Sequence, residues 1–181
     1  MSIWGGITGG LLGFVVLGPI GALVGSVIGS NISARSKRRR PNNFDQQVAF
    51  FAALFACLAK IAKADGRVDE TEIKKIDEII SNKLNLNREH RNFAINIFQM
   101  AKDDNVSFDA YASNLYQLLS SSPNSLLVFY EMLFELALAD GILHPSEDAL
   151  LKQIPRIFRF DESVYKSLYE KFVDKTNDYF K

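Results

Sequence analysis

Residues 1–34 of the chain carry no charged side chain. Within them, residues 7–28 read ITGGLLGFVVLGPIGALVGSVI, an uncharged and mostly apolar run. As one helix, this run reaches about 33 Å, and the hydrocarbon core of a bilayer is about 30 Å thick. We therefore expect residues 1–34 to hold a transmembrane helix. A re-entrant hairpin turning at Gly18-Pro19 is an alternative, although each of its arms is too short to span alone.

Positive charge follows the apolar run and does not precede it. Residues 35–43 form a basic linker that contains Arg35, Lys37, Arg38, Arg39 and Arg40. A cleavable signal peptide carries its positive charge before the apolar run, so the order here argues against one. An excess of Lys and Arg keeps its side of a span in the cytoplasm. We expect a single-pass protein with Met1 outside, the basic residues against membrane lipid and the C-terminal domain cytoplasmic, at the inner membrane if the source is bacterial.

Most of the glycines in the chain lie within residues 1–34, and several of them recur at every fourth position. Small residues at this spacing let two helix backbones approach closely within a membrane. The spacing predicts a homodimer through the span, packed on Gly5, Gly9, Gly13, Gly21, Gly25 and Gly29. The alternative is that the small residues accommodate a kink at Pro19.

Residues 41–181 have the composition of a folded, mildly acidic domain. Acidic side chains outnumber basic ones there, and the whole chain is 48% hydrophobic and 12% aromatic. This content is sufficient for a packed core. The acidic balance argues against nucleic-acid binding. Cys57 is the single cysteine, so it forms no internal disulfide, and we expect it to pack as a small apolar residue.

Apolar residues recur at helical spacing throughout residues 44–181, and no segment alternates as a strand does. Residues with a preference for helix starts precede several of these stretches, namely Asn43, Asn87, Pro145 and the pair Phe160-Asp161. One helix ends at Asp65-Gly66. The pattern predicts an all-α domain of about seven helices over residues 44–181.

The sequence AKADGRVDETE at residues 62–72 has a second copy, ALADGILHPSE, at residues 137–147. Apolar positions before the turn match at the same offset, as in Phe55 with Tyr130 and Leu58 with Leu133. Each copy predicts a helix, a tight turn and a second helix. Two copies are too few for a solenoid, so we expect two hairpins packed with approximate two-fold symmetry.

Helix capping accounts for most of the repeated turn. Gly66 and Gly141 can end the preceding helices with positive φ. Asp69 and Glu72 form a capping-box pattern for the following helix of the first copy. In the second copy, the same positions are filled by His144 and Glu147, with Pro145 at the first helical position.

The acid before each glycine is less well explained by capping. Asp65 and Asp140 fall at helix C-termini, where the macrodipole disfavours negative charge by about 0.3–1 kcal/mol. A hydrogen bond from the next backbone amides is one way to offset this cost. The other is a divalent cation, calcium or magnesium, bound by Asp65, Asp69, Glu72, Asp140 and Glu147. The spacing is not that of an EF-hand loop.

The two turns in a helical domain resemble those of the TerB-like family, which is named for tellurite resistance. The chain also resembles the N-terminal and central regions of membrane-anchored, DnaJ-like co-chaperones of the DjlA type. The resemblance lies in the order of a glycine-rich span, ARSKRRR, QVAFFAALFACLAKIAKADGRVDETEI, AKDDN and ADGILHPSE. This resemblance implies a dimerising membrane span and a cytoplasmic TerB-like domain. It also implies an association with divalent cations and with envelope or chemical stress. His144 stands where symmetry with Asp69 would place an acid.

Co-chaperones of this type also have a C-terminal J domain, whose His-Pro-Asp loop stimulates the ATPase of a heat-shock chaperone. The chain printed above contains no His-Pro-Asp sequence, because His144-Pro145 is followed by Ser146 and lies in the repeated turn. We therefore do not expect these residues to stimulate a chaperone ATPase.

The sequence argues against an enzyme, because it has no Ser/His/Asp pattern, no phosphate-binding glycine loop and no Cys/His metal spacing. Two hypotheses remain. The first is a membrane-tethered interaction or scaffold module that recruits a partner such as a chaperone system. The second is a divalent-cation-binding protein of a tellurite-resistance-like stress response.

Overall fold

A computed structural model of the protein describes residues 18–28, 43–64, 66, 77, 88–138 and 141–174. These residues are helical and contain no strand, which confirms the predicted all-α class. The helices are α1 (Pro19–Ile28), α2 (Asn43–Ala62), α3 (Arg88–Asp103), α4 (Phe108–Leu119), α5 (Pro123–Ala137), α6 (Pro145–Leu151), α7 (Ile154–Phe158) and α8 (Glu162–Tyr169), with a π-helical turn at Glu170–Asp174.

Helix α2 lies at the centre of the domain. Its residues 52–59, AALFACLA, are all buried, with at most 3% of any residue exposed. A helix that is apolar on every side is stable only when other elements surround it. Helices α1, α3, α4, α5 and α6 all pack against α2. The many alanines allow close approach, and burial raises the pKa of the Cys57 thiol, which packs as a small apolar residue as predicted.

The glycines of the two repeated turns, Gly66 and Gly141, share their backbone geometry. Gly66 has φ +102° and Gly141 has φ +88°, so the predicted positive φ is confirmed at both. The Gly66 N–H donates to the Lys63 carbonyl at 2.9 Å, and the Gly141 N–H donates to the Leu138 carbonyl at 2.9 Å. These two bonds occupy equivalent positions in the two copies. The glycine positions of the two copies are therefore equivalent in the fold as well as in the sequence.

The second helix of the second copy differs from the sequence prediction. The expected single helix from Pro145 is divided into α6 and α7, and Pro155 is the second residue of α7. Proline has no N–H to donate and its ring crowds the preceding turn, so Pro155 interrupts α6 and occupies the first turn of a new helix. The predicted start of the last helix at Phe160-Asp161 is confirmed, because Asp161 Oδ1 accepts from the Ser163 N–H at 2.8 Å where α8 begins.

Helix α1 packs against α2, α3 and α4. Its side chains Ile20, Leu23 and Val24 are 0%, 5% and 1% exposed. The core of the domain therefore includes residues from the segment that the sequence assigns to the membrane span. Within the described parts of the chain, no helix combines the length and apolar character needed to cross a bilayer.

We predict that Gly66→Ala lowers the free energy of unfolding by about 1–2 kcal/mol, because alanine disfavours positive φ by that amount. A Cβ at this position would meet no atom within 4 Å, so the backbone conformation is the only cost. Gly25→Ala is the matched control, since Gly25 is helical and also has no atom within 4 Å of its Cβ position. Thermal unfolding of both variants measures the difference, and equal melting temperatures would contradict the prediction.

Candidate functional site

The most distinctive local structure is the start of α1 against the domain. Gly18 has φ +106°, and Pro19 follows as the first helical residue, where its missing N–H is not needed. The Ile20 N–H donates to Asn114 Oδ1 of α4 at 3.1 Å. N–H groups in the first turn of a helix have no partner within the helix, so Asn114 caps α1 from a neighbouring helix. The structure therefore differs from the expected uninterrupted helix over residues 7–28, because the backbone turns at Gly18.

Asn114 makes this junction specific. It is 6% exposed and is the one buried polar side chain among the described residues. A Cβ on Gly18 would lie 2.7 Å from Asn114 Nδ2, closer than real Cβ contacts. A buried amide requires hydrogen-bond partners. Gly18 and Asn114 thus fit each other, and a side chain at position 18 would displace the amide that caps α1.

The glycines and basic residues predicted for the membrane segment are only partly described. Gly21 is half-buried, and Gly25 is exposed with no atom within 4 Å of its Cβ position. The predicted packing of two copies on Gly21 and Gly25 stays a prediction. Outside the described residues lie Gly5, Gly9, Gly13, Gly29, Arg35, Lys37, Arg38, Arg39 and Arg40.

A second polar group joins α2 to the connection between α3 and α4. Lys60 Nζ lies 2.8 Å from Asp104 Oδ1 and also donates to the Asp104 carbonyl at 3.0 Å. The carboxylate of Asp104 also accepts from the Val106 N–H, at 2.9 Å, and from the hydroxyl of the buried Tyr111. Burial and the bond to Asp104 raise the pKa of Tyr111. All the donors to Asp104 come from within the domain. Lys60, Asp104 and Tyr111 therefore act as a structural link between helices.

The predicted cation ligands are mostly outside the described residues. Only Glu147 is described, whereas Asp65, Asp69, Glu72 and Asp140 are not. Glu147 Oε2 accepts from the His144 N–H at 2.9 Å at the start of α6, which is the capping role predicted for it. Over the described ranges, no group of three His, Cys, Asp or Glu side chains is arranged to bind a metal. The cation site therefore stays a prediction.

A shallow cleft of about 320 Å³ lies between α6 and α8. Asp148 lines this cleft; its Oδ2 lies 2.6 Å from Lys152 Nζ, and its carboxylate also accepts from the Tyr165 hydroxyl. Burial and this hydrogen bond raise the pKa of Tyr165. Small-molecule sites are mostly enclosed and apolar. This open, charged cleft has an already paired carboxylate, so it does not support a catalytic interpretation.

Sequence reasoning missed the residues that make these polar contacts. Asn114 lies three residues after Tyr111 and one before Leu115, so it falls on the apolar face of α4. Lys60 likewise follows the apolar run of α2 directly. A polar residue on a buried face is the signal that could have identified both, but the pattern does not name the partner across the fold.

We predict that Asp104→Asn lowers the free energy of unfolding by about 2 kcal/mol, because it weakens hydrogen bonds to a charged group and leaves the ammonium of Lys60 without its counter-charge. The side chain of Lys60 is only 12% exposed, so water replaces the lost partner poorly. Asp103→Asn is the matched control, since that side chain is 71% exposed and should change stability by less than about 0.5 kcal/mol. Chemical denaturation measures both, and equal losses would contradict the structural role of Asp104.

Comparison with known families gives a match for both parts of the chain. Residues 51–169 match the model of the tellurite resistance protein TerB. Residues 1–39 match the model of the co-chaperone DjlA transmembrane domain. No solved structure matches the chain.

Curated relatives of the chain are co-chaperones. The co-chaperone protein DjlA of Photobacterium profundum is 32% identical over 172 residues, which are 88% of this chain and 62% of that protein. DjlA of Coxiella burnetii is 31% identical over 184 residues, covering 93% of this chain and 67% of the relative. DjlA of Escherichia coli K12 is 30% identical over 155 residues, which are 83% of this chain and 57% of that protein. This chain therefore spans about 62% of the length of the first of these relatives. From its all-helical repeat and from these matches, the chain belongs to the TerB family, with an N-terminal region similar to the DjlA transmembrane domain.

Proposed function

We propose that this chain is a membrane-anchored, TerB-like scaffold related to the DjlA co-chaperones. Residues 1–34 anchor it as a single-pass protein, and the helical domain binds a protein of a chaperone system on the cytoplasmic side. The observation that supports this function is the order of the two matches in one chain, the transmembrane model over residues 1–39 and the TerB model over residues 51–169. Relatives named co-chaperones align with 83–93% of the chain.

The described surface is more suited to binding a protein than to transforming a small molecule. The second repeat exposes three large apolar side chains, Leu127, Val128 and Ile142, which are 37%, 48% and 60% exposed. We assign these side chains to the proposed contact surface for a protein partner. The pair His144-Pro145 forms a helix start, in which the His144 N–H is bonded to Glu147. This geometry supports a cap and not a J-domain loop.

The proposal predicts binding to the chaperone system without stimulation. The full chain in lipid nanodiscs should bind a purified bacterial heat-shock chaperone or its soluble J-domain protein above the level of empty nanodiscs. The chaperone ATPase rate should stay at its basal value, because these residues hold no His-Pro-Asp sequence. Stimulation comparable to that of the J-domain protein would contradict the scaffold function. Binding to neither component would contradict a chaperone-system partner.

The alternative function is divalent-cation binding in a stress response, for which the family description names tellurite resistance. The observation that favours it is the matched backbone of Gly66 and Gly141, since each of these glycines directly follows an aspartate. A cation held by Asp65 and Asp140 would then join the two repeats. In the scaffold function, the same turns serve only as helix ends.

A cation titration separates these two functions. A cation that binds only the folded state at 100 times its dissociation constant stabilises it by about 2.7 kcal/mol. If the cation function is correct, millimolar calcium or magnesium raises the melting temperature by several degrees, and the double variant Asp65→Asn, Asp140→Asn loses this response. The variant Asp103→Asn, whose carboxylate lies away from the turns in sequence, should retain it. An unchanged melting temperature would exclude the cation function and leave the scaffold.

A further inference from the structure

Residues 19–28 belong both to the docked helix α1 and to the proposed membrane span. In the structure they form α1, whose side chains Ile20, Leu23 and Val24 are buried against the helical domain. In the proposed anchor, the same residues form the C-terminal half of the apolar run over residues 7–28. The three side chains cannot occupy both environments at once, because protein encloses them in the docked helix and lipid encloses them in the anchor.

Length shows that the two arrangements exclude each other. When α1 is docked, the apolar run that remains before Gly18 is residues 7–17. These residues reach about 17 Å as a helix, roughly half of the 30 Å hydrocarbon core. A docked α1 therefore removes about half of the apolar run over residues 7–28, and this run forms the expected span only when α1 leaves the domain.

We propose that α1 exchanges between a docked position, in the groove formed by α2, α3 and α4, and a membrane position in which it completes the span over residues 7–28. The groove is a binding site for an apolar helix, and its occupant is Pro19–Ile28 of the same chain. Insertion of α1 into the bilayer uncovers the groove, and docking withdraws the anchor. This inference rests on the membrane anchor of the proposed function.

The residues at the start of α1 are suited to both positions. Gly18 takes φ +106° in the docked form, and glycine takes the negative φ of a continuous helix as readily. Pro19 fits the first turn of the docked helix, and a kink at proline is tolerated within a membrane helix. The apolar side chains of α1 leave water in both positions, so their own burial contributes to both states, and burial of the groove lining favours the docked state.

Asn114 distinguishes the docked state from the membrane state. Its Oδ1 binds the Ile20 N–H only when α1 is docked. A side chain at position 18 would lie within 2.7 Å of the Asn114 amide and would need positive φ. Substitutions at these two positions should therefore act on docking and leave the apolar character of the anchor nearly unchanged.

The exchange is measured through a thiol placed at position 22. Ala22 is exposed in the docked form. In the span it lies well before the end of the run, about 9 Å inside the hydrocarbon, where a charged maleimide does not reach. The variant Ala22→Cys is labelled in lipid nanodiscs, both faces of which are open to the reagent. Cys57 of α2 is 0% exposed in the docked form, and its own labelling, measured separately from that of residue 22, reports opening of the domain.

We expect the parent Ala22→Cys protein to be labelled in nanodiscs at a measurable rate through its docked state. Adding Gly18→Ala should lower that rate about tenfold, because positive φ and the contact with Asn114 both disfavour docking. Asn114→Ala should also lower the labelling rate, although it leaves the sequence of the anchor unchanged. Gly25→Ala is the matched control and should change the rate by less than about twofold, since nothing lies within 4 Å of its Cβ position.

Three results would overturn the inference, and they are distinguishable. No labelling of the parent protein would mean that α1 stays in the bilayer, so the anchor would stand and the exchange would fail. Complete labelling at the same rate in every variant, with or without nanodiscs, would mean that no span forms, so the anchor would fail as well. An equal decrease for Gly18→Ala and Gly25→Ala, with Cys57 unreactive, would exclude the groove around Asn114 as the docking site.

Discussion

The burial of α2 on every side is the constraint on which the rest of the structure depends. Residues 52–59 offer no polar face to water, so the helix is stable only when other helices pack around it. The cover comes from α1, α3, α4, α5 and α6. The first repeat supplies α2, and the second supplies α5, whose Phe129 ring lies 5.5 Å from that of Phe50. The two repeats therefore pack against each other within one domain.

Polar side chains then decide how the helices are placed around this centre. Apolar contacts are non-directional, so they do not by themselves select one orientation of a helix. Asp104 has that effect where α2 meets α3 and α4, because its carboxylate accepts from Lys60 and Tyr111. Asn114 orients α1 in the same way, because its Oδ1 accepts from the Ile20 N–H at the start of that helix. Each group satisfies buried polar atoms only in the observed arrangement.

The sequence predicted the features that depend on neighbouring residues. The all-α class, the positive φ of Gly66 and Gly141 and the capping role of Glu147 all follow from local patterns, and all are confirmed. The break at Pro155 was missed, although the rule that proline begins a helix was available for it. The contact between Ile20 and Asn114 joins helices far apart in the chain, and one sequence contains no signal for such a pairing.

The account predicts that α2 is the most stable part of the domain, because α3, α4, α5 and α6 pack against it in both positions of α1. Hydrogen exchange followed by mass spectrometry on the full chain in nanodiscs measures this most directly. Amides of residues 52–59 should exchange only with global unfolding, and those of α8 at the edge of the domain should exchange earlier through local opening. Exchange of residues 52–59 at or before the rate of α8 would contradict the central place of α2.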